Sequence, residues 1–116
     1  MSHKVRYIYV AGPISKGDQI RNCSEAIKVG DHLLKLGLVP FIPHLSIAWH
    51  MITPVEYEDF MKWDFAWIDK CDALLRLPGE SHGADREVDY VKLQKKPVFH
   101  SIKEILDYNQ TKANTR

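Results

Sequence analysis

The chain is short of cysteine, of long apolar runs and of net charge, and each shortage excludes something. Its two cysteines, Cys23 and Cys71, lie far apart in 116 residues, with neither a CxxC nor a metal-ligand spacing. Two free thiols in a reducing compartment are therefore expected, and no disulfide framework. His32, His50, His82 and His100 stand at no ligand spacing to one another or to the cysteines, so neither a metal nor another cofactor is expected. No run of about 18 apolar residues is present, and the N-terminus lacks a signal-peptide core, which points to the cytoplasm and away from membranes. A net charge of +1 offers no footing for a nucleic-acid polymer.

What is present is an ordinary globular composition, 45% apolar and 27% charged. One domain spanning residues 1–116 with a modest core is expected. Val5 to Ala11 is a β-branched and aromatic run, hence a first strand. From about Asp18 to Leu36 apolar residues recur at helical spacing, and Gly37 is placed to end that helix. Leu38 to Ile42 reads as a second strand, and Ser46 to Ile52 as a loop or short helix. Thr53-Pro54-Val55-Glu56 carries helix-start chemistry, so a helix from Thr53 to about Lys70 is expected. A third strand follows at Ala73–Leu77, a helix from Gly83 to about Lys95, and a short strand at Pro97–Phe99. Ser101-Ile102-Lys103-Glu104 is a capping box opening a last helix toward Tyr108, and Asn109–Arg116 is expected to fray. Strands alternating with helices predict an α/β fold: a small parallel, Rossmann-like (flavodoxin-like) sheet in a three-layer α/β/α domain. Ligands in such sheets bind beyond the carboxyl ends of the strands.

Two polar loops leave those ends. Gly12-Pro13-Ile14-Ser15-Lys16-Gly17 follows the first strand, and Pro78-Gly79-Glu80-Ser81-His82-Gly83 follows the third. The second feeds a helix N-terminus, where unpaired N–H groups and the helix dipole favour an anion. Ser81 adds a hydroxyl there, and Glu87 falls in the early turns of the helix. An ordinary strand-loop-helix joint with a solvated Glu explains the same pattern.

The helix around residues 53–70 carries an anomaly. At 100° per residue, Phe60, Met61, Trp63, Phe65, Trp67, Ile68 and Cys71 fill one arc, and Asp64 lies near its centre. A carboxylate so placed must be hydrogen-bonded, protonated or lining a cavity. Two readings stand: an Asp capping a loop from inside, or a general acid held protonated by its aromatic surroundings. Paired with Glu87, the second reading suits cleavage of a glycosidic bond through an oxocarbenium-like transition state.

In these features the chain resembles the nucleoside 2-deoxyribosyltransferase-like superfamily, in particular the small nucleoside 5′-monophosphate N-glycosidases. The resemblance rests on Tyr9-Val10-Ala11-Gly12-Pro13-Ile14, Pro43-His44, Asp64-x-x-Trp67-x-x-x-x-Asp72 and Leu77-Pro78-Gly79-x-Ser81-x-Gly83-Ala84-x-x-Glu87, spanning roughly Tyr7 to Phe99. It implies Glu87 as a nucleophile that forms a glycosyl-enzyme, and Asp64 as the acid that assists base departure. It implies Ser81 as a phosphate ligand where the transferases carry an aspartate, because a neutral hydroxyl donates to a phosphate that a carboxylate repels. Tyr9, Gly12, Pro13, Ile14, Ser15, Gly83 and Ala84 complete the implied substrate contacts. Pro13 stands where the hydrolases often have Ser, and Ser15 where they often have Arg; Ser15 and Lys16 are the available substitutes.

His44 is expected either to touch the base or a neighbouring subunit, or to cap a loop. Trp67 is the aromatic best placed to wall the cavity beside Asp64, Trp49 and Trp63 being core or interface. Asp72 is expected to orient backbone. The expected activity is hydrolysis of a nucleoside 5′-monophosphate, with deoxyribosyl transfer or ligand binding without turnover as alternatives. The aromatic surplus of the 53–70 helix, together with the resemblance, implies a homodimer or a dimer of dimers.

Overall fold

The structure is a computed structural model describing residues 3–114. Four strands, β1 (Tyr7–Ala11), β2 (Val39–Phe41), β3 (Ala73–Arg76) and β4 (Val98–Phe99), form one sheet. All pairings are parallel, in the order β2-β1-β3-β4. The helices are α1 (Gln19–Lys35), α2 (Ile47–Ile52), α3 (Tyr57–Ile68), α4 (His82–Leu93) and α5 (Ile102–Ala113), with a 3-10 turn at Pro43–Ser46.

The two-residue period of a strand sends alternate side chains to opposite faces. Ile8 and Val10 of β1 and Leu75 of β3 pack with Leu33 of α1 and Ile105 of α5 on one face. Tyr9 and Ala11 of β1 and Leu74 of β3 pack with Ile68 of α3 and Val91 of α4 on the other. Strands buried on both faces need apolar residues at consecutive positions, which is why β1 and β3 read as unbroken apolar runs. Each Leu or Ile so enclosed contributes about 1.5–3 kcal/mol. The result is a small Rossmann-like α/β/α fold with the flavodoxin-like strand order, one strand short.

That order creates the crevice. β1 leads to β2 on one side and β3 to β4 on the other, so the connections diverge between β1 and β3. The two strands run in register to their ends, Ala11 beside Arg76, and the Leu77 amide donates to the Ala11 carbonyl at 2.7 Å. Beyond that bond their two loops face each other.

Several local expectations hold. Asp72 accepts from the Arg6 and Tyr7 amides at 2.8 and 2.9 Å, fixing the start of β1. Ser101 Oγ accepts from the Glu104 amide at 3.2 Å, and Glu104 accepts from the His100 amide at 2.7 Å. Of the loop or short helix expected before Thr53, the structure shows the helix, α2.

Others need correction. α3 starts at Tyr57 instead of at Thr53; Thr53 ends α2 with extended backbone, and Glu56 precedes the first turn without a side-chain cap. Pro54 holds Thr53 extended, and Glu58 and Asp59 supply the first-turn acids that favour the later start. The segment expected to fray from Asn109 supplies the last five residues of α5, which reaches Ala113; residues 115–116 lie outside the described residues. Its anchor is the Asn109 amide, which accepts from the Val5 N–H at 2.8 Å and donates to the Val5 carbonyl at 2.9 Å. Residues 1 and 2 of the expected domain are likewise outside the description. Among the described residues, no helix is long and apolar enough to cross a membrane.

Candidate active site

The loops after β1 and β3 and the N-terminal half of α3 enclose a cavity of about 640 Å³, within the size of common small-molecule sites. Gly12, Ile14, Ser15, Ser81, Gly83, Ala84, Asp64 and Glu87 all line it. The elements place them for local reasons. Gly12 lies against β3's exit so closely that a Cβ there would stand 3.0 Å from Leu77 Cβ. Ser81 is the N-cap of α4, its Oγ accepting from the Ala84 amide at 3.1 Å. The cap uses a lone pair, so the hydroxyl proton remains available to an incoming acceptor. The first N–H groups of α4 have no partner within the helix, and His82, Gly83 and Ala84 line the cavity wall.

Asp64 and Glu87 are 2% and 5% exposed, and with His44 they are the buried polar side chains of the described core. The α3 stripe that turns inward is Met61, Asp64 and Ile68, one residue round from the stripe expected through Phe60 and Trp67. The Tyr9 hydroxyl donates to Glu87 Oε2 at 2.8 Å. Asp64 Oδ1 has no hydrogen-bond partner. Burial pushes Glu87 well above the carboxylate range, and hydrogen bonding and repulsion from Asp64 add to it, against opposition from Tyr9 and Arg76. Burial also raises Asp64, opposed by hydrogen bonds from Glu87 and Tyr9 and by the charge of His50. Tyr9 is held neutral first by burial and then by the two carboxyls. The pair therefore keeps a proton at pH values where isolated carboxyls have lost theirs. A buried carboxylate and carboxylic acid side by side is an arrangement for attack and protonation within one step.

Other expected contacts fall elsewhere. Trp67 does not wall the cavity: it is 42% exposed and stacks on Phe41 at 4.8 Å. The helical rotation that turns Asp64 inward carries position 67 outward toward the β2 edge. His44 is a loop brace. Its Nε2 lies 3.0 Å from the Pro13 carbonyl, so Nε2–H donates and the buried Nδ1, which has no partner, is the acceptor. Burial lowers its basicity, which suits that neutral form. Pro13 does not line the cavity but packs its ring against Gly79. Tyr9 lies beneath the floor and acts through Glu87.

The sequence did not single out the wall made by Ile47 and His50 of α2, Pro54, Val55, and Tyr57, Phe60 and Met61 of α3. Phe60 and Met61 had been placed on the apolar arc as packing residues, and His50 carried no spacing signal. Lys16 also lines the cavity, 3.7 Å from Glu80 across its mouth. Among the described residues, no group of His, Cys, Asp and Glu gathers at metal-binding positions.

Fold and site together define a small Rossmann-like domain with a carboxyl pair at its topological switch point. The chain belongs to the DUF4406 family, described as a domain of unknown function, whose model matches residues 6–100. No curated protein matches it.

Proposed function

We propose that the protein is a nucleoside 5′-monophosphate N-glycosidase. The observation that carries this reading is the meeting of Asp64 and Glu87, buried side by side at the cavity floor, with the Tyr9 hydroxyl on one of them. Phosphate recognition is supported by the capped α4 N-terminus with its Ser81 hydroxyl and by Lys16, which lines the same cavity from the β1 loop. The apolar wall of Ile47, Val55 and Phe60, with His50, offers a seat for the base near Asp64.

In the proposed reaction the proton of the pair, held on Glu87 at rest by burial and by Asp64, passes to Asp64, so that Glu87 reacts as the carboxylate and Asp64 as the acid. A Glu87 oxygen bonds the anomeric carbon as the carbon–nitrogen bond breaks, and Asp64 gives its proton to the departing base. Water then attacks the same carbon, Glu87 leaves as carboxylate, and the water proton returns to Asp64. The products are free base and sugar 5-phosphate. The Tyr9 hydrogen bond favours the ionised Glu87 that attack requires.

The test is incubation with nucleosides and their 5′-monophosphates, with and without an acceptor base, followed by chromatography of released base. Glu87→Gln should abolish release with the fold intact, and Asp64→Asn should slow it least for bases that leave easily. Near wild-type turnover in Glu87→Gln overturns the assignment. Base exchange in preference to hydrolysis would make the protein a transferase, and binding without turnover would make it a nucleotide-binding module.

The same reading includes cytoplasmic residence and a homodimer. Trp49 and Trp67 at 41% and 42% exposure, beside Met51 and Ile52 at 79% and 81%, leave an apolar rim on α2 and α3 that supports assembly.

A further inference from the structure

The cavity is built from loops of two strands, and loops hold a site only when something fixes them. Arg76, the last residue of β3, does not reach the cavity lining, yet its side chain is 12% exposed and its bonds go to the loop and helix start behind that lining. Nη1 donates to the Leu77 carbonyl. Nη2 donates to the Gly79 carbonyl and to Asp85 of α4, both at 3.0 Å. One planar fork thus ties the strand end, the loop and the first turns of the helix.

The tie continues past Gly79. That residue has φ +114°, and a Cβ on it would come within 2.8 Å of Pro13 Cγ. Pro13 packs there, and its carbonyl is held by His44. A continuous brace therefore runs from the exit of β2 through His44, Pro13, Gly79 and Arg76 to Asp85. It passes behind both loops that face the cavity.

We propose that Arg76 is the positioning residue of this site: by holding Leu77, Gly79 and Asp85 together, its guanidinium sets the α4 N-terminus and Glu87 against the β1 loop. The nucleotide reading enters only through the choice of ligand. Lysine cannot replace the fork, because a single ammonium lacks its fixed donor geometry. Arg76 also acts on Glu87 by charge; the other groups facing Glu87 are Tyr9 from β1 and Asp64 from α3.

The test compares Arg76→Lys and Arg76→Gln with wild type by amide hydrogen exchange, and by titration with deoxynucleoside 5′-monophosphates and the parent nucleosides. Both variants should exchange about tenfold faster at the hydrogen-bonded Ala84 and Asp85 amides while β1 and β3 keep their protection. Monophosphate affinity should fall about tenfold, and nucleoside affinity should change less than the monophosphate's. Melting temperature against pH should place the loss of the Glu87 proton at higher pH in Arg76→Gln only, because Lys keeps the charge. Unchanged exchange at Ala84 and Asp85, or equal acceleration throughout the sheet, overturns the proposal, as does a Glu87 transition that Arg76→Gln leaves in place. If wild type binds no monophosphate, the nucleotide reading falls, and the exchange and pH results alone decide the role of Arg76.

Discussion

Glu87→Gln should make the protein more stable, by an amount that pH controls. Glu87 is 5% exposed and its carboxyl is raised well above the ordinary 4.5 by burial and by Asp64. A raised native pKa means that the folded state prefers the protonated form. Its stabilisation is complete below 4.5 and is lost as pH rises through the native value. Between those limits each pH unit removes about 1.4 kcal/mol from wild type. Glutamine imitates the protonated form: its oxygen accepts from Tyr9, and its amide donates toward the unpartnered Asp64 Oδ1. The variant escapes the loss. With an unfolding entropy of about 2.1 cal/mol/K per residue over 116 residues, 1 kcal/mol corresponds to roughly 4 °C. The difference in melting temperature, variant minus wild type, should therefore be near zero at pH 4. Above 4.5 it should climb by about 6 °C per pH unit and level off at the native pKa. Calorimetry at half-unit steps of pH measures it. A difference that stays flat with pH, or a variant less stable than wild type at pH 8, would refute the reasoning about the buried pair.

Tyr9→Phe removes the donor that favours ionised Glu87, so the acidic limb of activity should move up by roughly one to two pH units, seen in kcat/KM against pH. Ser81→Ala should cost about 1 kcal/mol through the lost cap, read from denaturant unfolding. Ser81→Asp should keep that stability and weaken monophosphate binding far more than nucleoside binding, measured by titration; equal losses would remove phosphate recognition from Ser81. For the proposed homodimer, Ile52→Asp should lower the sedimenting mass to that of one chain, whereas an unaltered mass would place any interface elsewhere.

The sheet and its flanking helices were legible because their signals are local. Tyr7–Ala11 and Ala73–Leu75 are apolar without interruption, as strands covered on both faces must be. Ser101 and Glu104 mark a helix start with their own hydrogen bonds. The beginning of α3 was not legible, since Thr53-Pro54 and Glu58-Asp59 carry competing start signals of similar strength. Nor was the end of α5, where polar Asn109 reads as a fraying tail until Val5, 104 positions away, accepts and donates to its side chain. Within the site, Asp64 stood out because a carboxylate in an apolar arc is costly, and Glu87 because it follows a strand-loop-helix joint. Trp67 was misplaced because the buried stripe of α3 runs through Met61, Asp64 and Ile68, which leaves position 67 on its exposed flank. Arg76 gave no signal; a charged residue ending a strand is ordinary, and its meaning lies in three acceptors that only the folded loop assembles.

The two kinds of residue behave oppositely toward stability. Leu74, Ile8 and Leu75 stabilise the sheet through burial alone, and any apolar residue of similar shape would serve. Asp64 and Glu87 sit in the same protected interior but lower its stability once both are ionised. Nothing in the packing of α3 against α4 requires them, since Met61 and Ile68 on one helix and Ala84 and Val91 on the other already form an apolar contact surface. The fold accommodates the pair at the one place where strand connections diverge and leave a crevice, so each carboxyl has protein on one side and the cavity on the other. Moving either by one helical position would turn it to a half-buried flank of its helix, away from the other, and end the coupling that keeps a proton between them. Stability and the carboxyl pair thus pull in opposite directions, and a fold under selection for stability alone would have replaced the two with apolar residues. Their placement at the crevice is the physical ground on which the proposed function rests.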